Sequence, residues 1–244
     1  MLSNHDYGVL RCEDIDRAEF LQGQISSDIR LIQGQTGGMA CDINLKGRVM
    51  SAFYLYAHDQ GYHLIMPLDQ IAYALADFKK YSIFSKVQLK DISNECRISP
   101  QLSTEPQAQF QRYALLPDPL GQRFMLTDRA SFVISKDSAT TCSAGDWYEH
   151  LIGQNIPTIT TQERELFLPH YIGLLALGAV SFDKGCYKGQ EVVARMQYRA
   201  NIKKQVAHCV LSGEQLLKAG DTIEQGEVVN AVVNQGQTYV LCIA

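Results

Sequence analysis

No Cys-x-x-Cys pair occurs in the chain, although it carries seven cysteines, at positions 12, 41, 96, 142, 186, 209 and 242. Zinc sites and disulfide frameworks use close or paired cysteines, so this scatter predicts free thiols in a reducing, cytoplasmic compartment and no metal centre. An excess of basic residues is also missing. The 22 Lys and Arg stand against 26 Asp and Glu, for a formal net charge of −4, which argues against a broad surface for nucleic acid or anionic membrane. The longest apolar run, Ile172 to Val180, is too short to span a bilayer, and the opening MLSNHDYGVLRCED lacks the charged, apolar, small order of a signal peptide. Internal repeats and low-complexity tracts are absent. These absences together predict a soluble cytoplasmic protein with no membrane partner and no direct nucleic-acid partner.

What is present is an ordinary globular composition, 46% hydrophobic and 20% charged, long enough for one large domain or two to three small ones. Val9 to Cys12 reads as a strand, and Asp14 or Asp16 as the cap of a helix through Phe20 and Leu21 that ends at Gly23. Met39 to Ile43 and Val49 to Ala57 read as a hairpin, with Val49, Ser51, Phe53 and Leu55 alternating and Asn44 to Gly47 as the turn. Tyr62 to Met66 continues as strand. Pro67 and Leu68 open a helix with Ile71, Leu75 and Phe78 on one face, and strand character resumes from about Ile83 to Leu89. This succession predicts a ferredoxin-like unit over about 49–135. Ile92 to Asp118 reads as loops around a strand at Phe110 to Leu116. Asp146 is the expected cap of a helix through Trp147 and Leu151. After Arg199 only strand patterns remain, at Ile202 to Leu211, Glu227 to Val233 and Tyr239 to Ile243. The expected fold class is α+β, with an α+β domain over 1–200 and an all-β unit over 201–244.

One stretch concentrates chemistry: Lys184-Gly185-Cys186-Tyr187-Lys188-Gly189-Gln190-Glu191, running into the helical pattern Val192 to Met196. Two glycines four apart allow close backbone approach, and a helix N-terminus beside two lysines suits an anion or a thiolate. Spacing alone also admits Gly185 and Gly189 as plain turn residues and Cys186 as a small core side chain. From Asp183 to Lys204 six basic residues face two acidic ones, a balance of +4 that leaves −8 for the rest. That cluster reads either as a solvated helix face or as a seat for a small polyanion.

The string KGCYKGQEVVAR resembles the signature of the YgfZ-type folate-binding proteins, relatives of a mitochondrial iron-sulfur cluster assembly factor and, more distantly, of the glycine cleavage aminomethyltransferase. FLQGQISSDI (Phe20 to Ile29), GGMACDINLKGRV (Gly37 to Val49), KKYSIFSKVQL (Lys79 to Leu89) and Phe167-Leu168-Pro169 agree in order. The resemblance implies a ring-like folate-binding domain of two mixed subdomains around a central pocket, followed by an abbreviated C-terminal β-barrel. It also implies a tetrahydrofolate-type ligand and transient iron-sulfur client proteins, among them tRNA-modifying enzymes. Carried onto matching positions, Cys186 and Lys184 become the acting residues. Gln22, Asp28, Tyr187, Lys188, Gly189, Gln190, Glu191 and Arg195 become ligand-binding residues, with Phe20 or Tyr187 as the apolar wall. A tetrahydrofolate-dependent aminomethyltransferase is the second reading, weakened because alignment on Gly47-Arg48-Val49 puts Ser51 and Ala52 where a transferase carries aspartate. A third makes Cys186 a nucleophile with His170, the nearest in sequence of six histidines, as its base. A scaffold that has lost its ligand is the fourth.

Overall fold

The computed structural model describes residues 2, 6–59, 61–137, 139–199 and 202–244. His5, one of the six histidines, and the expected domain boundary at 200–201 lie outside the described residues. Nine strands form one sheet: β1 (Tyr7–Glu13), β2 (Gly38–Ile43), β3 (Val49–His58), β4 (Gly61–Pro67), β5 (Gln88–Asp91), β6 (Arg97–Leu102), β7 (Leu115–Asp118), β8 (Gly121–Met125) and β9 (Ala130–Ser135). Their order is β2-β3-β4-β1-β6-β9-β8-β7, with β5 added to β1, and every described pairing is antiparallel. The strands within 49–135 therefore do not close on themselves: β3 pairs β2, and β4 pairs β1 along its whole length.

The hairpin of β2 and β3 forms as its sequence predicts. Asn44 Oδ1 accepts from the N–H groups of Lys46 and Arg48, and Gly47 takes the left-handed φ of +77° that the turn requires. Along β3, Phe53 and Leu55 face helix α2 (Leu68–Tyr81), while Ala52, Tyr54 and Tyr56 face the larger core. Burial on both faces makes β3 almost continuously apolar. Pro67 precedes α2 rather than filling its first turn, and Ile71, Ala74 and Phe78 bury that helix against Leu10, Phe53 and Leu64.

Several boundaries differ from the sequence reading. Ile83 and Phe84 lie in an exposed turn, Phe84 fully so, and the strand starts only at Gln88. Ser99-Pro100 sits inside β6 rather than in a loop. Beyond the Tyr7–Ile98 pair, the β1-facing edge of β6 is free of ladder pairing, where a residue without an N–H is tolerated. Helix α1 (Arg17–Gln24) has no side-chain cap, because Asp16 turns away to accept from Lys86 N at 2.6 Å. Helix α3 (Ala144–Gly153) is capped by Ser143, whose Oγ accepts from Asp146 N and donates to the Asp146 carboxylate, so Asp146 completes the cap. Trp147 is fully buried, and its Nε1 donates to Tyr7 Oη at 3.0 Å.

From Gln154 to Gly189 the chain has no regular element, yet Ile156, Ile159, Phe167, Ile172, Leu174 and Ala179 are buried in the main core. After α4 (Gln190–Arg199), strands β10 (Val206–Ser212), β11 (Thr222–Ile223), β12 (Gly226–Asn234) and β13 (Gln237–Ile243) form a second sheet in the order β10-β13-β12-β11. The abbreviated barrel expected here is thus an open four-stranded sheet among the described residues. Asn230 on β12 ties it to the irregular segment, accepting from Thr158 N and donating to Thr158 O, each at 2.8 Å.

Candidate functional site

Gly189 decides where the motif sits. Its φ is +79°, and a Cβ there would stand 2.5 Å from Asn44 O and 2.7 Å from Ile43 Cγ2. Only glycine lets the 184–189 loop rest on the β2–β3 turn, while Val192 in turn packs over Gly47. Lys188 N donates to Gly23 O and Ser181 N to Ser26 O, which stitches the loop and the residues before it to the end of α1 and the stretch that follows.

Both lysines of the motif point inward. Lys184 is buried, its Nζ donating to Ile25 O at 2.7 Å and Ser27 O at 2.9 Å, 5.0 Å from the Tyr187 ring centre. Burial pushes its pKa down to about 8, with Asp28 acting in the opposite direction. Lys188 Nζ lies 2.7 Å from Asp42 Oδ1 and 2.6 Å from Asp77 Oδ2. Burial raises the Asp42 carboxyl to about 6 against the pull of Lys188. Burial also acts upward on Asp77, but hydrogen bonds from Lys188 and Lys80 outweigh it and hold that carboxyl low. Neither ammonium group is therefore available to an external polyanion in this arrangement.

Gln22 and Asp28 come together beside this loop. Gln22 Nε2 donates to Asp28 Oδ1 at 3.1 Å, and its Oε1 accepts from Ile29 N at 2.9 Å. Asp28 caps the 3-10 turn Ile29–Leu31 and grips Arg30, whose hydrogen bonds hold the carboxyl far below the usual range. Tyr187 is buried with its hydroxyl unpartnered, and burial pushes its pKa up. Buried unpartnered oxygens also occur at Gln24 Oε1 and Ser27 Oγ, in the stretch whose Ile25 and Ser27 carbonyls hold Lys184. Phe20 offers no wall to a ligand, because it is buried edge-on to Phe78.

Cys186 is the one exposed thiol of the seven, and it makes no hydrogen bond among the described residues. Burial raises the other six: Cys12 and Cys41 to about 12, Cys142 and Cys242 to about 11, and Cys96 and Cys209 in the same direction. The lysines expected to activate Cys186 spend their donors inside the protein. His170 does not act as its base through a hydrogen bond either, since both ring nitrogens are buried without any partner. Gln190 continues the loop through a bond from its N to Tyr187 O, whereas Glu191 and Arg195 lie exposed on α4. The structure thus gathers Gln22, Asp28, Lys184, Cys186, Tyr187, Lys188 and Gly189, and sets Glu191 and Arg195 outward.

Sequence reasoning missed Asp42 and Asp77. Asp42 is fully buried opposite Ser51, so a carboxylate does stand beside the position where alignment found none, supplied by the neighbouring strand. Its signal was a lone acid in the apolar string GMACDI. Among the described residues, no three His, Cys, Asp or Glu side chains are arranged to hold a metal ion, and no helix is long and apolar enough to cross a membrane.

The fold is similar to that of a glycine cleavage T-protein. The crystal structure of the glycine cleavage system aminomethyltransferase T from Bartonella henselae superposes with a TM-score of 0.70 over 96% of this chain and 75% of that one, at 10% sequence identity. No family model matches the sequence. Among curated proteins, tRNA-modifying protein YgfZ from Aliivibrio fischeri is 32% identical over 268 aligned residues, covering 98% of this chain and 83% of that one. The protein of the same name from Hamiltonella defensa is 31% identical over 223 residues, covering 82% of this chain and 66% of its own length. The chain belongs to the YgfZ family.

Proposed function

We propose that this protein binds a reduced folate of the tetrahydrofolate type and, with Cys186 as its working thiol, supports iron-sulfur cluster assembly or repair in the cytoplasm. Iron-sulfur enzymes, tRNA-modifying ones among them, are then its transient clients. The family name borne by the relatives supports the link to tRNA modification, and the T-protein fold supports the folate. One observation carries the assignment of the thiol: of seven cysteines only Cys186 is exposed, on a loop held rigid from both sides by Lys184 and Lys188. The unpartnered Tyr187 hydroxyl, Ser27 Oγ and Gln24 Oε1 suit a flat ring system with donors and acceptors along its edge, as a pterin has.

Calorimetric titration with tetrahydrofolate tests the ligand. One site per chain is expected, and Tyr187→Phe, which removes a buried unpartnered hydroxyl, should leave the free protein at least as stable while weakening binding several-fold. Absence of heat, or unchanged affinity in both Tyr187→Phe and Ser27→Ala, refutes the site. For the thiol, Cys186 should be alkylated far faster than the other six near neutral pH, and Cys186→Ser should fail to restore iron-sulfur enzyme activity in cells lacking the native protein. Slow alkylation together with full restoration refutes that role.

The aminomethyltransferase reading has one observation in its favour, Asp42 beside Ser51. Its charge is already matched by Lys188 at 2.7 Å, which leaves it poorly suited to stabilise a developing cation.

A further inference from the structure

The basic cluster read from the sequence as one unit divides in two in the folded chain. Lys184 and Lys188 are internal, spent on carbonyls and on Asp42 and Asp77. Arg195, Arg199 and Lys203 make no ion pair or hydrogen bond among the described residues, and Lys204 has a 4.0 Å contact with Glu227 and stands 5.8 Å from the Tyr171 ring centre. Helix α4 buries a single side chain, Val193. Arg195 and Arg199 are one turn apart, and Tyr198 stands between them in sequence with 72% of its surface exposed. Its ring packs edge-on to Phe182, centroids 5.9 Å apart, which braces it without covering it. Arg195, Tyr198, Arg199, Ala194 and Glu191 border a cleft of about 420 Å³.

We infer that this outer face of α4 is a docking surface for single-stranded RNA. Two features select that partner. Unpaired cations concentrated on one face of a chain with net charge −4 call for a polyanion, and a braced, exposed aromatic ring between guanidinium groups offers a platform on which a base stacks. A polycarboxylate would use the arginines and leave the ring idle. The surface is local, so it is compatible with the acidic character of the rest of the chain. It extends the proposed role in tRNA modification to direct contact with the nucleic acid, and it does not depend on folate being bound.

The test is fluorescence anisotropy of the full chain with a labelled 12-nucleotide single-stranded RNA of mixed sequence, over a range of salt concentrations. Three phosphate contacts predict a slope of about −2 in log K against log salt. Arg195→Glu with Arg199→Glu should abolish binding. Tyr198→Ala should weaken it about 5- to 150-fold while leaving the slope unchanged. Lys218→Glu, a single charge reversal on the C-terminal unit with half the charge change of the double variant, should do little. Circular dichroism should show all variants folded, since none of these side chains is buried. No binding at low salt, binding unchanged in the double reversal, or equal affinity for a poly-glutamate peptide or for anionic phosphatidylglycerol vesicles would overturn the inference. Loss of RNA binding with folate titration intact would separate this surface from the folate site.

Discussion

Replacing Lys188 by methionine keeps most of its apolar stem and removes only the charge, from a position where two acids depend on it. The ammonium sits between two carboxylates at 2.7 and 2.6 Å, and the side chains of Lys188, Asp42 and Asp77 are 9%, 0% and 10% exposed. Removing one partner of a buried ion pair leaves the other uncompensated, at a cost of about 3–5 kcal/mol. The pH dependence separates this from simple loss of packing. Asp42 already titrates in the folded protein near 6, raised from 3.8 chiefly by burial. A carboxyl that holds its proton more tightly when folded costs stability progressively as pH rises from 3.8 toward 6, and the cost is then constant. Without Lys188 that pKa moves higher, so the variant keeps losing stability above pH 6 where the native protein has stopped. At about 1.4 kcal/mol per pH unit, the gap between the two should be about 2 kcal/mol narrower at pH 6 than at pH 7.5. Urea denaturation followed by fluorescence of Trp147, which is fully buried, reports the unfolding. Adding Asp42→Leu to Lys188→Met should recover more than half of the loss, since Asp77 keeps Lys80 at 3.1 Å. A single variant within about 1 kcal/mol of the native protein at pH 7.5, or a gap independent of pH, refutes the reasoning.

Gly189→Ala should destabilise by about 1–3 kcal/mol or more, because it meets the Asn44 carbonyl at a positive φ, whereas Gly185→Ala, with nothing within 4 Å of its Cβ, should cost under about 1 kcal/mol; equal effects in thermal melts would show that the loop is not seated as described. Lys184 has a folded pKa near 8, below its usual 10.5, so its burial cost is full below pH 8 and relieved as pH rises toward 10.5. The stability of the native protein relative to Lys184→Met should therefore climb by up to about 3 kcal/mol across that window, and a flat difference would refute the shift.

The sequence exposed what local chemistry decides. The β2–β3 hairpin follows from alternation and an Asn-to-Gly turn, and the loop glycines of the motif follow from its spacing, although only Gly189 proves sterically obligatory. It concealed what distance decides. The partner that captures Lys188 from α2 is 111 residues away, and nothing around Lys188 distinguishes an inward from an outward ammonium. The cluster of charges therefore read as one surface when two of its six basic residues are interior. Residues 154–189 carry no period because they are buried by tertiary contacts without forming an element, and β6 was hidden by a proline on its open edge.

The division of the core bears on how the chain is made. The cluster beneath α2 draws its buried members from Leu10 to Phe78 alone, whereas the main core joins Leu2, Tyr7 and Val9 to Val229, Val232, Leu241 and Ile243. During synthesis the first can consolidate while later segments are still being translated, and the second must wait for β13. Until then α3, which packs against β12 and β13, lacks its final neighbours. A nascent chain stalled before β13 should protect the α2 layer from protease while Trp147 remains accessible, which makes β13 the latch that closes the main core in time as well as in space.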